Sequence, residues 1–571
     1  MQPSKRLLTL WLIASIGLGV AYLANDSHAS GKKAQATAAS TKPNNTPNRE
    51  SLPPAGQPHA AVRIQTSDYT ASFHPQNTGI MRFELRNERF VVDNHALNLI
   101  STDRPEYLPF RFELEGSTLS QRNPDRVEQP SARAASFHWN EANLSVVRKL
   151  EAGQHPYQLW STLRVTNTGT SPKAIRLHFG TYHYVKRSDE SGGMFAVTSP
   201  KLSHGVCRIK DEIKREDRKD LLKKHSYKGD VRLAGTETVY FVNALAPDQP
   251  AAETCRMQVS DRGGTLKDPH GSLFMIDLAY PPVTLKPGQS QIYRTLAYLG
   301  PKTPEDLRNA GHGLAKVINL GFFSYLAGYL TQLLSAIHTY VPNWGIAIIL
   351  LTLLVKVLLF PLTAKSFKSM ARMRLLKPEL DQLNELYKED REKRGAATME
   401  LYRKHKINPL GGCLPQLLQL PIWWALYTSL STNVELYHSG FFLWWTDLSA
   451  PDPYFVLPVA LGVLMYIQQK LTPTAMDPAQ AKVMLYMMPL MMTGFMLFLP
   501  SGLCLYILTN SVLSIGQQKY FEHASMSEAA AAAQATATTM QEATNQPSTP
   551  AKQRKAISRR SRRGKAKAAR T

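Results

Sequence analysis

Cysteine, acidic charge within the apolar runs and every common catalytic signature are scarce or missing in this 571-residue chain. Four cysteines (Cys207, Cys255, Cys413, Cys504) are too few for a disulfide scaffold, and none has a CxxC or Cys/His spacing that would hold zinc. HExxH, GxSxG, Walker A and GxGxxG patterns are absent, which removes the metalloprotease, serine hydrolase, P-loop and dinucleotide-binding readings. His178 and His183 come nearest to a ligand pair. Their odd spacing sends them to opposite faces of a strand, so they are expected to be ordinary surface or half-buried histidines. No metal, no cofactor and no enzymatic activity are expected. Cys207 and Cys255 share a region assigned below to an oxidising compartment. They form either a disulfide or, on the simpler reading, two small core residues.

What is present is unevenly distributed. Hydrophobic residues make up 43% and charged residues 19%, and the mean hydropathy of −0.26 looks soluble. The apolar residues, however, crowd into the first 25 positions and into about 320–521. A net charge of +23 calls for an anionic partner, lipid headgroups or nucleic acid. Lys5 and Arg6 precede a 17-residue apolar run, Leu7–Leu23, at the short end of what spans a bilayer. Ser27-His28-Ala29 could end a cleaved signal, but the run is long for one, so 1–24 is expected to be an uncleaved transmembrane anchor. Residues 25–60, rich in Ala, Ser, Thr, Asn, Pro and Lys, read as a disordered tether.

From 61 to 301 the texture is that of short strands. Leu159, Leu163 and Val165 alternate with polar neighbours after Tyr157, Ile175, Leu177 and Phe179 continue the pattern, and Val239 with Phe241 repeat it. Val283 to Gln289, with Pro287-Gly288 inside it, reads as strand, tight turn, strand. Such runs predict an antiparallel β-sandwich of about 240 residues. Lys210–Lys224 is dense in charge and predicts a solvated loop or helix. Thr303–Ala315 predicts a helix, with Pro304 near its start and Glu305-Asp306 in its first turn.

Residues 302–344 are expected to hold this linking helix and then an amphipathic helix, Phe322–Val341, lying in the outer membrane interface, with a full span as the alternative. Five spans are expected in 345–521: Gly345–Leu362, Pro415–Thr432, Tyr454–Leu471, Val483–Phe498 and Ser501–Phe521. With the anchor they make six. The Thr363–Leu414 loop carries twelve Lys/Arg and the Asn433–Pro453 loop none. The positive-inside rule therefore puts both termini in the cytoplasm and the β domain outside.

Three features carry the functional argument. Lys356 lies eleven residues into its span, roughly 16 Å deep at ~1.5 Å per residue, close to the middle of a ~30 Å hydrocarbon core. A charge there costs about 2.5–3.5 kcal/mol, so it is expected to face a wet cavity rather than snorkel to the headgroups. Thr352 shares its helix face, and Gln419, Tyr506 and Asn510 are polar groups of neighbouring spans. Next, the 363–408 loop repeats Met370, Met373, Leu380, Leu383 and Leu386 at helical spacing. The run is broken at Gly395 and resumed by Met399 and Tyr402, which predicts a helical hairpin, either a solvated structural element or one that docks partners or handles substrate. Finally, the 522–571 tail is expected to be disordered. From Ala551 it holds ten Lys/Arg and no acid, including Arg559, Arg560, Arg562 and Arg563. RNA of the ribosome, or anionic lipid, is its expected partner; DNA is not.

The chain resembles the YidC branch of the YidC/Oxa/Alb insertase family. The resemblance rests on Asn343-Trp344-Gly345, Phe360-Pro361-Leu362-Thr363, Ser369 to Met373, Asn408 to Cys413, Pro415, Gln419, Pro421-Ile422, Asp447-Leu448-Ser449, Asp452-Pro453-Tyr454 and Phe498 to Gly502, in order over roughly 180 residues. It implies a multi-span α-helical inner-membrane protein. Its five-helix core would enclose a hydrophilic groove open to the cytoplasm and to lipid, and its periplasmic β-sandwich would be similar to sugar-mutarotase folds. It also implies that nascent membrane proteins are the clients, with the Sec translocon as a partner. Lys356 falls where the family usually has arginine, and Ile507 where it has a second groove aromatic; lysine keeps the charge but loses the bidentate fork. A client's polar tail would enter the groove and its apolar span would leave along the third and last spans. A transporter would instead need paired intramembrane acids, and a sugar-processing enzyme a carboxylate–histidine pocket; the sequence offers neither.

Overall fold

The computed structural model describes residues 62–544 except 93, 142, 187–202, 224, 262–270, 406–408 and 472–477. The expected anchor and tether, and the tail beyond Thr544, lie outside the described residues.

Residues 63–301 form a β-rich domain and the rest is mostly helical. Among the described residues thirteen strands build one antiparallel sheet. Its main path runs Arg111–Leu114, Leu177–Val185, Ser272–Ala279, Ala252–Ser260, His225–Glu237, Phe241–Gln249, Ser290–Pro301, Gln158–Asn167, Leu144–Ala152, Ala134–Glu141 and Arg126–Ser131. Strands His204–Ile209 and Glu212–Glu216 branch from it, and Arg63–Gln65, Tyr69–Phe73 and Ile80–Leu85 make a separate three-stranded sheet. The large sheet doubles back on itself, because Arg148 of Leu144–Ala152 sits 5.4 Å from the ring of Phe179 on the distant Leu177–Val185 strand.

The alternation in Gln158–Asn167 is as expected: Leu159, Leu163 and Val165 are fully buried. Ser161 keeps the same face and is buried too, because Arg148 Nε donates to its hydroxyl at 3.0 Å. The guanidinium also donates to Thr78 Oγ1 (2.7 Å) and Phe110 O (2.8 Å) and lies 4.6 Å from the Phe110 ring centre. This buried cation holds three separate segments to one point. At the predicted turn, Gln289 N donates to Lys286 O at 3.0 Å and Gly288 has φ +75°, the second-position conformation that glycine supplies in a Pro-Gly turn.

Several sequence expectations are corrected. Cys207 and Cys255 are bonded, with Cα atoms 6.4 Å apart, so the simpler reading of two unlinked core residues fails. Val239 is not in a strand: Thr238 N donates to Phe241 O at 2.8 Å, closing a hairpin turn between two strands. The Lys210–Lys224 segment is neither plain loop nor helix. Glu212–Glu216 pairs with His204–Ile209, and only Arg218–Leu221 (α1) is helical. The helix predicted over Thr303–Ala315 stops early, as Pro304–Ala310 (α2), because Gly311 has φ +71° and a short 3-10 turn, Leu314–Val317, follows.

Among the described residues eight longer helices follow. Ser324–Tyr340 (α3) buries Ala327, Leu330 and Leu334 and exposes Tyr325 and Tyr329 on its other side. Trp344–Leu375 (α4) runs through Pro361 and thirteen residues beyond the expected end of its span, since the Ala/Met/Leu/Lys/Arg-rich sequence after Thr363 favours continued helix. Lys377–Leu386 (α5) and Arg391–Lys404 (α6) make the hairpin. Its turn is not at Gly395, which lies inside α6. Asp390 instead caps α6 by accepting from Lys393 N at 3.0 Å, and one interior glycine costs only about 1 kcal/mol. Pro409–Ser431 (α7), Val456–Leu471 (α8), Pro478–Met496 (α9) and Ser501–Thr544 (α10) complete the set. The tail expected to be disordered from 522 is helical to Thr544, consistent with its alanine-rich run from Ala529.

Among the described residues, one helix is long and apolar enough to cross a membrane by itself: Trp344–Ala364, with mean hydropathy 2.6. Val456–Leu471 and Ala481–Met496 are apolar but shorter.

The β domain meets the helical core through the loop after α7. Tyr437 packs against Tyr240 (ring centres 5.3 Å apart), Phe241 (5.5 Å) and Phe90 (6.1 Å). Beside this contact Glu237, almost wholly buried, bonds Arg215 and, at 3.0 Å, Lys302, while Arg215 donates to Val317 O at 2.8 Å. Burial pushes the Glu237 carboxyl up, but Lys302 and Arg215 outweigh it and hold the group below the usual carboxylate range.

Candidate functional site

The ends of the helices are pinned first. Asn343 Oδ1 accepts from Ile346 N at 3.1 Å, capping α4, while its amide donates to Phe441 O at 3.0 Å. A Cβ on Gly345 would stand 2.0 Å from Phe441 Cδ2, so only glycine lets that loop lie against the first turn of α4. Asp447 Oδ1 accepts from the backbone of His438 and Ser449, and Asp452 Oδ2 caps α8 by accepting from Leu457 N at 2.7 Å. Ser501 N donates to Ala450 O at 2.7 Å, tying the start of α10 to the same loop. The polar residues of this end are therefore occupied in holding helix termini.

From there α4 and α10 run side by side in the same direction. Lys356 of α4 faces Ser514 of α10, and further along Phe360 and Phe367 of α4 both meet Phe521 of α10, at 5.8 and 6.1 Å. Lys356 Nζ donates to Ser514 Oγ at 2.6 Å, and Ser514 Oγ donates to Asn510 O at 2.7 Å. The lysine is only 5% exposed while Val357 and Leu358, next along the helix, are 65% and 70% exposed. Lys356 thus points between helices, and its apolar neighbours point outward. Among the described residues no carboxylate forms an ion pair with it.

Thr352, one turn before Lys356, is buried and returns its hydroxyl to Ile348 O at 2.7 Å. Tyr506 is buried two turns before Ser514. Asn510 is half-buried between them. Four of the five expected groove residues therefore lie on the facing helices α4 and α10; the Gln419 side chain lies outside the described residues. Sequence reading missed Ser514, Ser511 and Gln518, all buried on α10, and Thr363 and Ser366 on α4. Ser514 had a signal, standing four residues after Asn510 and eight after Tyr506 on one helical face. Together they form a polar seam between two otherwise apolar helices. A cation in such a seam, held by a hydroxyl instead of a carboxylate, keeps unspent attraction for an incoming anionic or polar group.

In the hairpin Met373, Leu380 and Leu383 pack on Leu376, Leu401 and Tyr402, as expected. Leu386 and Met399 do not join them and are 72% and 60% exposed. The Met370 side chain and Arg559, Arg560, Arg562 and Arg563 lie outside the described residues.

In the β domain His178 bridges Asp277 (3.1 Å) and Glu115 (2.9 Å), and His183 Nδ1 meets Ser101 Oγ at 3.0 Å. The two rings share no partner. Burial pulls His178 down, but its two carboxylates outweigh that and raise it; His183, which only burial affects, is pushed down to about 4.

Comparison with known proteins agrees with this layout. Residues 336–529 match the family described as 60Kd inner membrane protein, and residues 61–333 match the YidC periplasmic domain. The protein called membrane protein insertase YidC in Anaeromyxobacter sp. strain Fw109-5 is 36% identical over 484 residues, which is 82% of this chain and 85% of that protein. The protein of the same name in Geobacter sulfurreducens is 36% identical over 471 residues, 80% of this chain and 85% of its own length. A crystal structure of an active YidC insertase with its first transmembrane domain resolved is 19% identical, covers 81% of this chain and 92% of that one, and has a TM-score of 0.35.

Proposed function

This chain belongs to the YidC family of membrane protein insertases, and from that premise we propose that the seam around Lys356 is where a client's polar segment enters the membrane. The protein is an integral inner-membrane insertase and not an enzyme. The observation that carries the site is Lys356 itself, buried between α4 and α10 with Ser514 as its hydrogen-bond partner.

In this reading Leu7–Leu23 and the helices α4, α7, α8, α9 and α10 make six spans, five of them forming the core. The β domain, proposed as a sandwich, faces the periplasm and both termini face the cytoplasm. Loop charge supports that orientation, and the aromatic face of α3 suits the outer interface. A nascent span with a short outer tail first meets the hairpin α5–α6. Its polar or acidic tail then enters the seam, where Lys356 offers a cation and Thr352, Gln419, Tyr506, Asn510 and Ser514 offer hydroxyls and amides. Those groups replace part of the tail's hydration and lower the cost of crossing. The apolar span leaves sideways along α7 and α10 into lipid, driven by its own hydrophobic transfer and by the membrane potential. The basic tail recruits ribosomal RNA or anionic lipid, and the Sec translocon shares larger clients.

The test is reconstitution into sealed liposomes with a small single-span client translated alongside, insertion being read by protease protection. Protection with the wild-type chain and its loss with Lys356→Ala is the expected result. Equal protection with both would remove Lys356 from the mechanism, and none with either would favour a transporter.

A further inference from the structure

The loop between α7 and α8 shows its apolar side chains and hides its charges. Phe441 N donates to Trp445 O at 2.8 Å and Trp445 N to Phe442 O at 3.2 Å. This tight turn leaves Phe442 and Leu443 at its tip, 61% and 64% exposed. Just before α8, Tyr454 and Phe455 are 68% and 48% exposed, and the Trp444 ring lies 5.5 Å from that of Tyr454, joining the two clusters into one patch. Among the described residues 433–455, none that is exposed carries a charge. Asp452 is buried as the cap of α8, Asp447 accepts from His438 N and Ser449 N, and Glu435 is half-buried. A loop surrounded by water would be arranged the other way round.

The backbone is strained to keep it so. Leu443 has φ +54° and Phe455 φ +57°, the left-handed region that bulky L side chains rarely adopt. Both side chains are exposed, so burial within the protein does not offset that strain.

Position identifies the partner. The tip is fixed beside the first turn of α4, since Asn343 Nδ2 donates to Phe441 O at 3.0 Å and Phe441 stands against Gly345. Trp344–Ala364 is long and apolar enough to cross a membrane, so the tip sits at the level where that helix enters the bilayer. At its other end the patch runs into α8, whose exposed Val456, Val459 and Val463 continue from Phe455 along one helix side. A protruding, uncharged, partly aromatic surface continuous with lipid-facing helix fits the boundary between headgroups and acyl chains.

We propose that Phe442, Leu443, Tyr454 and Phe455 form an apolar wedge sunk in the lipid leaflet at the starting end of α4, where it fixes the depth of the helical core in the bilayer. Lys356, roughly 16 Å beyond Gly345 at ~1.5 Å per residue, takes its level from this contact. The inference rests on the reading of α4 and α8 as spans, and it stands whether or not Lys356 acts in insertion.

The experiment attaches a nitroxide through p-acetylphenylalanine at Phe442 of the full chain in phosphatidylcholine liposomes, which leaves the native cysteines untouched. Power saturation compares the label's accessibility to oxygen, which partitions into lipid, with its accessibility to a water-soluble nickel chelate. Labels at Val459 of α8 and Leu222 of the β domain, each 55% exposed, set the lipid and water references. The oxygen-to-nickel ratio at Phe442 should match that at Val459 and exceed that at Leu222 fivefold or more. L443N/F455N should bring it down to the Leu222 value with the chain still folded, because asparagine accepts the left-handed backbone. A Phe442 ratio equal to that at Leu222, with Val459 lipid-like, overturns the wedge alone, as does a ratio that the double variant leaves unmoved. Low accessibility to both oxygen and nickel would overturn it too, since a second copy or another protein segment would then cover the patch. A water-like Val459 would overturn the reading of α8 as a span, and the wedge with it.

Discussion

Lys356 and Ser514 meet at 2.6 Å across α4 and α10, a cation and a hydroxyl joined with no carboxylate between them. That pairing separates charge from hydrogen bonding as contributors to insertion. Lys356→Arg, which keeps the charge, should retain protease-protected client, whereas Lys356→Met should lose most of it. Ser514→Ala removes one interhelical bond worth about 1 kcal/mol in a membrane and should lower insertion only severalfold. If Ser514→Ala matched Lys356→Met, the bond and not the charge would be the active element.

The disulfide closes a separation of 48 residues between Cys207 and Cys255. Loop-closure entropy for a ring of that size is worth about 4 kcal/mol. Cys207→Ala with Cys255→Ala should therefore lower the midpoint of β-domain unfolding in denaturant, with no change in insertion by the folded protein.

His183 and His178 predict opposite limbs of a pH profile. His183 is pushed down to about 4, so between its ordinary value near 6.5 and about 4 the unfolded chain takes a proton that the fold refuses. Stability should fall as pH drops through that window, by on the order of 3 kcal/mol, and level off below it. His178 is raised by Asp277 and Glu115, so its contribution is complete below the ordinary imidazole value and is lost as pH rises through its raised folded value. Hydrogen exchange of the Leu177–Val185 strand should show the acid limb flattened by His183→Asn and the neutral limb flattened by His178→Asn.

Arg148 holds Ser161, Thr78 and Phe110 at once from a fully buried position. Arg148→Ala should cost about 3–5 kcal/mol, since it leaves both a cavity and unpaired polar groups. Arg148→Lys should recover little of that loss, because an ammonium cannot reproduce the guanidinium fork. Calorimetry of the purified protein would measure both.

Gly395 is exposed inside α6, with nothing within 4 Å of a built Cβ and no left-handed backbone. Gly395→Ala should stabilise the hairpin by about 1 kcal/mol, seen as slower exchange across Arg391–Lys404. Were the glycine a hinge, the same change would leave that exchange no slower.

These residues also mark what could be read from the chain alone. Period-two and apolar patterns located the strands around Leu159, Leu163 and Val165 and the helices around Lys356, because burial of one face is written directly into residue type. Pairing over long distance is not written there. Ser161 stands on the inward face of its strand with no sequence sign of the Arg148 that bonds it, and Ser514 carries no mark of its partner 158 positions away. Gly395 drew attention as a helix breaker, yet a capping aspartate four residues from the previous helix decided the turn. Tyr437 offered no sign that it packs on the β domain, since contact between domains depends on placement and leaves no period.

The length of α10 has a mechanical consequence. It is helical from Ser501, bonded in its first turn to Ala450 and Leu448, to Thr544. Forty-four residues at ~1.5 Å each make a rod of roughly 66 Å. Tilting such a lever by about 5° around its first turn would swing its far end by roughly 6 Å, on the scale of one helical turn. A small adjustment where the β domain grips the loop after α7 would thus reach the far end of α10 magnified, without any bond along the rod being broken.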